Sequence, residues 1–160
     1  MSLNRTISES ELTDILDFVG SLNQHEGAVV VEGQRDSEAL CKIGYRGNIL
    51  IFHQFGGLAE FADVAARYAR VIVLFDADRT GRYLTRRLAD MLRRRTRVDT
   101  TFKRKLARIT RGRVRCVEQL AQYGTHLDYT LRRDICCTKS INVSEPHASD
   151  AVNYVAARRP

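Results

Sequence analysis

Residues 71–82 read VIVLFDADRTGR. Five apolar residues, Val71 to Phe75, run straight into Asp76-Ala77-Asp78 and then Arg79-Thr80-Gly81-Arg82. A short, β-branched run with no polar face is what a central strand of a parallel sheet requires, because helices cover both its sides. The two aspartates then fall at the strand's carboxyl end, the edge where open α/β sheets bind ligands. In extended chain, residues two apart aim their side chains the same way. Two carboxylates about 5 Å apart repel by roughly 3 kcal/mol at an effective dielectric of 20. A divalent cation turns that repulsion into binding. Hard oxygen donors without nearby Cys or His favour Mg2+, or Mn2+, over zinc. The competing reading is structural: Asp residues also cap the free N–H groups of a helix start.

Working outward, the same pattern occurs upstream. Ala28 to Val31 is a second buried-strand run and leads directly into Glu32-Gly33-Gln34-Arg35-Asp36. A helix is expected from Asp36 to Ile43, closed by Gly44. Asn48 to Phe52 reads as another strand, His53 to Gly57 as a loop, and Leu58 to Ala69 as a helix. Before all of these, Ser8 and Glu11 have capping-box spacing at the start of a helix reaching Leu22. The order α-β-α-β-α-β-α predicts a parallel, right-handed, doubly wound sheet.

Downstream, a helix over Thr80–Arg95 places Leu84, Leu88, Met91 and Leu92 on one face. Phe102, Leu106 and Ile109 suggest a further basic amphipathic helix. The fourth strand is open between Val114–Val117 and Val98–Phe102. Glu118 to Tyr123 reads as helical, and the residues from about Cys137 as a poorly ordered tail. The expected organisation is therefore an N-terminal helix over 1–24, an α/β domain over 25–120 and a helical extension with a tail over 121–160.

The chain has 160 residues, a size suited to one domain. Its +7 charge is uneven. Residues 79–115 hold fifteen Lys or Arg and two acids, a local +13 that leaves about −6 for the rest. Such a basic segment suits a polyanionic partner. No apolar run approaches the ~20 residues of a membrane span. The N-terminus lacks a signal-peptide pattern, and a cytoplasmic protein is expected. The four cysteines, at 41, 116, 136 and 137, form no CxxC pair, and the four histidines are scattered. Reduced thiols are expected rather than a zinc site.

Glu32 and the Asp76/Asp78 pair thus occupy corresponding points, each after a buried strand and before a helix. If those two strands are neighbours, about 4.8 Å apart, three carboxylates meet on one rim. Beside a basic helix, that makes a rational phosphodiester site. VVVEGQRDSEAL (29–40) followed by VIVLFDADRTGR resembles the Toprim domain of topoisomerases, bacterial-type primases, OLD-type nucleases and ribosomal-RNA maturation nucleases. Its signature is Glu-Gly after a first strand and Asp-x-Asp after a later one. The resemblance covers about residues 26–120 and, with RVDTTFKRKLARI and VRCVEQL beyond, is strongest to small stand-alone archaeal members.

The resemblance implies a Rossmann-like, four-stranded parallel sheet with helices on both faces, here with a basic helical C-terminal region. It implies Mg2+ on Asp76 and Asp78, with Glu32 completing the metal site or acting as general acid/base. Many members carry a third acid two residues beyond the pair; Thr80 stands there instead, which puts two-metal chemistry in doubt. Arg35, Arg79, Arg82 and Arg86 are candidates for contact with nucleic acid, although surface ion pairing explains such residues as well. The leading expectation is a magnesium-dependent protein that hydrolyses RNA or DNA. The alternative is a non-catalytic nucleic-acid-binding module of a processing or repair complex. Asp76-Ala77-Asp78-Arg79-Thr80 also fits the aspartyl-nucleophile motif of haloacid-dehalogenase-like phosphatases. There it would end the first core strand and need a later acidic pair, and neither condition is met. The chain has no room for the further domains of a topoisomerase or a primase.

Overall fold

A computed structural model describes the backbone of residues 7–131 and the side chains of residues 7–127. Four strands, β1 (Ala28–Val31), β2 (Asn48–Ile51), β3 (Arg70–Val73) and β4 (Arg97–Asp99), form one sheet in the order β2-β1-β3-β4. Every pairing is parallel. Six α-helices accompany the sheet among the described residues: α1 (Glu9–Asn23), α2 (Gln34–Lys42), α3 (Leu58–Ala65), α4 (Arg79–Leu92), α5 (Thr101–Ile109) and α6 (Ala121–Leu131). This is the α/β Toprim-like architecture expected. The tail from Cys137 lies outside the described residues.

Alternation along the strands builds two cores. Val29, Val31, Ile49, Ile51, Ile72 and Leu74 face α1, α2, α5 and α6. Val30, Leu50, Val71, Val73 and Phe75 face α3 and α4. Both faces are dry, so the strands carry no polar alternation. The chain leaves β1 for β2 on one side and returns to β3 on the other. The sheet therefore reverses direction between β1 and β3, and the crevice above that reversal is the place where such folds bind ligands. The adjacency that the sequence left conditional is met: Val29 pairs with Ile72 and Val30 with Val73.

The fourth strand is Arg97–Asp99, and Val114–Val117 is not a strand. Val114 and Val117 are buried, but in a loop and at the start of a 3-10 turn, Val117–Leu120. That turn packs on α2, while the edge of β3 is already occupied by β4. Asp99 at the end of β4 takes the Thr101 backbone N–H at 2.7 Å and the Thr101 hydroxyl at 2.6 Å, and pairs with the Arg70 guanidinium. Burial alone would raise its carboxyl, but these hydrogen bonds and Arg70 outweigh it and hold Asp99 below the ordinary range. The start of α5 is thereby fixed to the sheet.

Two further expectations change. Ser8 does cap α1, its hydroxyl accepting the Glu11 N–H at 3.3 Å. The Glu11 side chain, however, does not complete a capping box. It is buried, where it binds the Arg113 guanidinium and the Tyr123 hydroxyl. Cys116 is free, as expected, but Cys41 is disulfide-bonded; Cys136 and Cys137 lie outside the described residues. Gly44 ends α2 as predicted: its φ of +97° is the left-handed region that a side chain disfavours.

Candidate functional site

The crevice is made by two turns, β1 to α2 and β3 to α4. Val31 ends β1 and delivers Glu32 to the rim. Its Oε1 accepts the Asp76 backbone N–H at 3.0 Å, so Glu32 and the start of the Asp-x-Asp segment share one point. Asp76 is half-buried, and its Oδ1 has no partner. Burial first, then the charges of Asp36 and Glu32 and more weakly Asp78, push its carboxyl up to about 6; the Val117 amide opposes them. Asp78 sits at the N-cap of α4, and its Oδ1 accepts the Gly81 N–H at 2.7 Å. The capping role weighed against metal binding is thus real for one oxygen of Asp78.

Gly81 has no room for a side chain. A Cβ there would lie 2.3 Å from the Asp76 carbonyl oxygen and 2.7 Å from Glu32 Oε1. The glycine is what lets α4 start against both acids. At Gly33 a Cβ would meet only His53 Nδ1 at 3.5 Å and Asp36 Oδ2 at 3.8 Å, ordinary contacts. The fold itself does not require glycine at that point.

Two residues complete the site that the sequence reading did not assign to it. Asp36, buried, takes the Gly33 N–H on Oδ2 at 2.9 Å and the Glu118 N–H on Oδ1 at 3.0 Å. It ties the Glu32 turn to the segment beside Asp76. Its position three residues after the helix cap was the available signal, the same spacing noted at Ser8 and Glu11. Lys103, from the first turn of α5, donates to the Asp76 carbonyl oxygen at 2.6 Å. Nothing local to Asp76 announces a partner 27 residues away. A third remote contact, the Ala77 N–H to the Arg115 carbonyl at 3.0 Å, closes the turn from the other side.

The basic candidates divide. Arg82 is near enough to Lys103 to disfavour its charge. Arg79 and Arg86 are exposed on α4, three and four residues either side of Arg82 and so on one helix face. They make no ion pair with the acids. Arg35 lines a separate cleft of about 380 Å3 with Glu38, Lys42 and Glu118. Among the described residues, no three Asp, Glu, His or Cys side chains already close on one point. Glu32 and Asp78 each have one oxygen committed to a backbone N–H. The donor chemistry nevertheless fits a hard cation: carboxylate oxygens only, mutually repelling, with a buried oxygen of Asp76 unsatisfied.

Residues 27–115 match the Toprim domain, more than half of the chain. The chain belongs to the Toprim family. Toprim domains generally bind divalent metal and have nucleic-acid-related roles. Among relatives, a UPF0292 protein of Thermococcus gammatolerans is 36% identical over 132 residues, 82% of this chain and 89% of that one. A UPF0292 protein of Pyrococcus horikoshii is 36% identical over 116 residues, 72% of this chain and 86% of its own. This Toprim chain is thus similar along most of its length to small archaeal proteins. In fold it is similar to a putative protein from Aquifex aeolicus, with a TM-score of 0.53 at 23% identity, covering 64% of this chain and 94% of that one. No described helix is long and apolar enough to cross a membrane.

Proposed function

We propose that this Toprim protein hydrolyses phosphodiester bonds of RNA or DNA with Mg2+, Mn2+ being an alternative. The observation that carries the reading is the buried, unpartnered Oδ1 of Asp76 beside Glu32, above the sheet's reversal point. Asp76 and Asp78 are the proposed ligands, and Glu32 the third ligand or the general base. A divalent cation bound there would neutralise phosphate oxygens and acidify a water. The hydrolysis adds water oxygen to phosphorus and breaks the bond to a sugar oxygen. A carboxylate, for which Glu32 is the nearest candidate, takes the water proton, and the departing oxygen is protonated. Arg79, Arg82 and Arg86 on one face of α4 support a track for the backbone of the polymer, and Arg35 a more distant contact. The reading implies a protein that works on polyanions in the cytoplasm.

The test is cleavage of structured RNA and DNA with and without Mg2+. Glu32→Gln and Asp76→Asn are expected to lose at least about a hundredfold in rate. Equal cleavage by the variants rejects these residues as the machinery. A second reading, a binding module without turnover, is favoured by Thr80 and by the oxygens of Glu32 and Asp78 already held by N–H groups. It is supported instead if wild type binds nucleic acid with a steep salt dependence and never cuts. An aspartyl-phosphate trapped on Asp76 would mark phosphatase chemistry.

A further inference from the structure

We propose that Lys103 is a catalytic residue of this site, a resident cation that contacts the phosphodiester and takes the place of a second metal ion. This rests on the reading of Asp76 and its neighbours as a magnesium site. Three observations support it. Lys103 Nζ is anchored by one hydrogen bond, to the Asp76 carbonyl oxygen at 2.6 Å. An ammonium has three N–H donors, so two remain for another acceptor. The charges facing the ammonium from the neighbouring elements are Glu32 after β1, Asp76 and Asp78 after β3, and Arg82 on α4. A half-buried ammonium facing three carboxylates already fills much of the electrostatic need that a second divalent ion would meet. Thr80, where a further acid would extend the ligand set, is exposed and carries no charge.

The position is also built rather than accidental. Asp99 holds the first turn of α5 through the Thr101 N–H and hydroxyl. Lys103 lies two residues further along that turn, and burial of part of its stem limits where the ammonium can go. During hydrolysis it moves no proton. It offers its two free N–H groups to a non-bridging phosphate oxygen, whose negative charge grows as the water oxygen bonds to phosphorus and before the sugar oxygen departs with its electron pair.

The experiment is calorimetric titration with Mn2+ of wild type, Lys103→Met, Lys103→Arg and Asp76→Asn, together with cleavage kinetics. Wild type is expected to bind one Mn2+ and Asp76→Asn none. Lys103→Met removes a positive charge from between the acids and should bind Mn2+ about tenfold more tightly or take up a second ion. Its kcat should fall about a hundredfold with little change in KM, and Lys103→Arg should restore both the wild-type metal count and part of the rate. Two Mn2+ ions in wild type overturn the proposal, whether or not the Met variant folds. Unchanged metal binding and turnover in a folded Lys103→Met protein overturn it while leaving the metal site standing. No Mn2+ on wild type at all removes both.

Discussion

The two turns that make the crevice begin alike and are held differently. In each, a buried strand ends, an acid follows and a helix starts. The β1 to α2 turn has a brace of its own: Asp36, four residues past Glu32, takes the Gly33 N–H, the glycine has space around it, and remote N–H groups of His53 and Glu118 reach the Glu32 carbonyl and Asp36 at its margins. The β3 to α4 turn depends on the rest of the chain. Asp76 N–H goes to Glu32, Ala77 N–H to Arg115, the Asp76 carbonyl to Lys103, and Gly81 has no space at all. One turn carries an internal brace and room to spare. The other is a junction assembled from four separate parts of the sequence.

The sharpest way to break this contrast is to give both turns a methyl group. Gly81→Ala should destabilise the protein by about 3 kcal/mol, because the new Cβ meets backbone oxygen that cannot easily move. Gly33→Ala should change stability by less than about 1 kcal/mol. Denaturant titration of the two variants checks both, and similar losses would show the turns to be equally constrained. The next effect in size is at Asp36. Asp36→Ala leaves the Gly33 and Glu118 N–H groups without their acceptor and should cost about 1–3 kcal/mol. If the two turns are braced separately, hydrogen exchange will quicken at Gly33 and Glu118, the two N–H groups that Asp36 accepts, and not at Gly81.

A more modest effect than those of Gly81 and Asp36 is in pH. Asp76 has its carboxyl raised to about 6 in the folded chain. A raised carboxyl favours folding when protonated, so this contribution is present below the unfolded value near 4 and is lost as pH rises through 6. Metal-free protein should therefore lose about 1–2 kcal/mol of stability between pH 4 and 6.5 from this group, allowing for its partial exposure. Asp76→Asn should flatten that part of the profile. The Asp99 carboxyl is lowered, so its own contribution is lost only at more acid pH and does not overlap the window.

The same contrast explains what the sequence could tell. Periodicity and β-branched runs found β1, β2 and β3, because a strand dry on both faces is written in consecutive residues. The places of Glu32 and Asp76 on the rim were legible because each follows such a run directly, and that of Asp78 because it lies two residues further on. β4 was not resolved from Val114–Val117, since both segments supply short apolar patches and only the packing of Val117 on α2 separates them. Lys103 and Arg115 were invisible as members of the site, because contacts over 27 and 38 residues leave no local pattern. Glu11 misled for a related reason. Its spacing from Ser8 is that of a cap, yet a buried acid spends its charge where cations and hydroxyls await it, at Arg113 and Tyr123.

That trio has a practical side. A fragment trimmed to the matched span, 27–115, would keep Arg113 and discard both the Glu11 carboxylate that neutralises it and the Tyr123 hydroxyl that donates to that carboxylate. Arg113 lies two residues before the carbonyl that holds Ala77. Removing what seem to be peripheral helices would therefore loosen the rim itself, and an inactive excised fragment would say little about the intact chain.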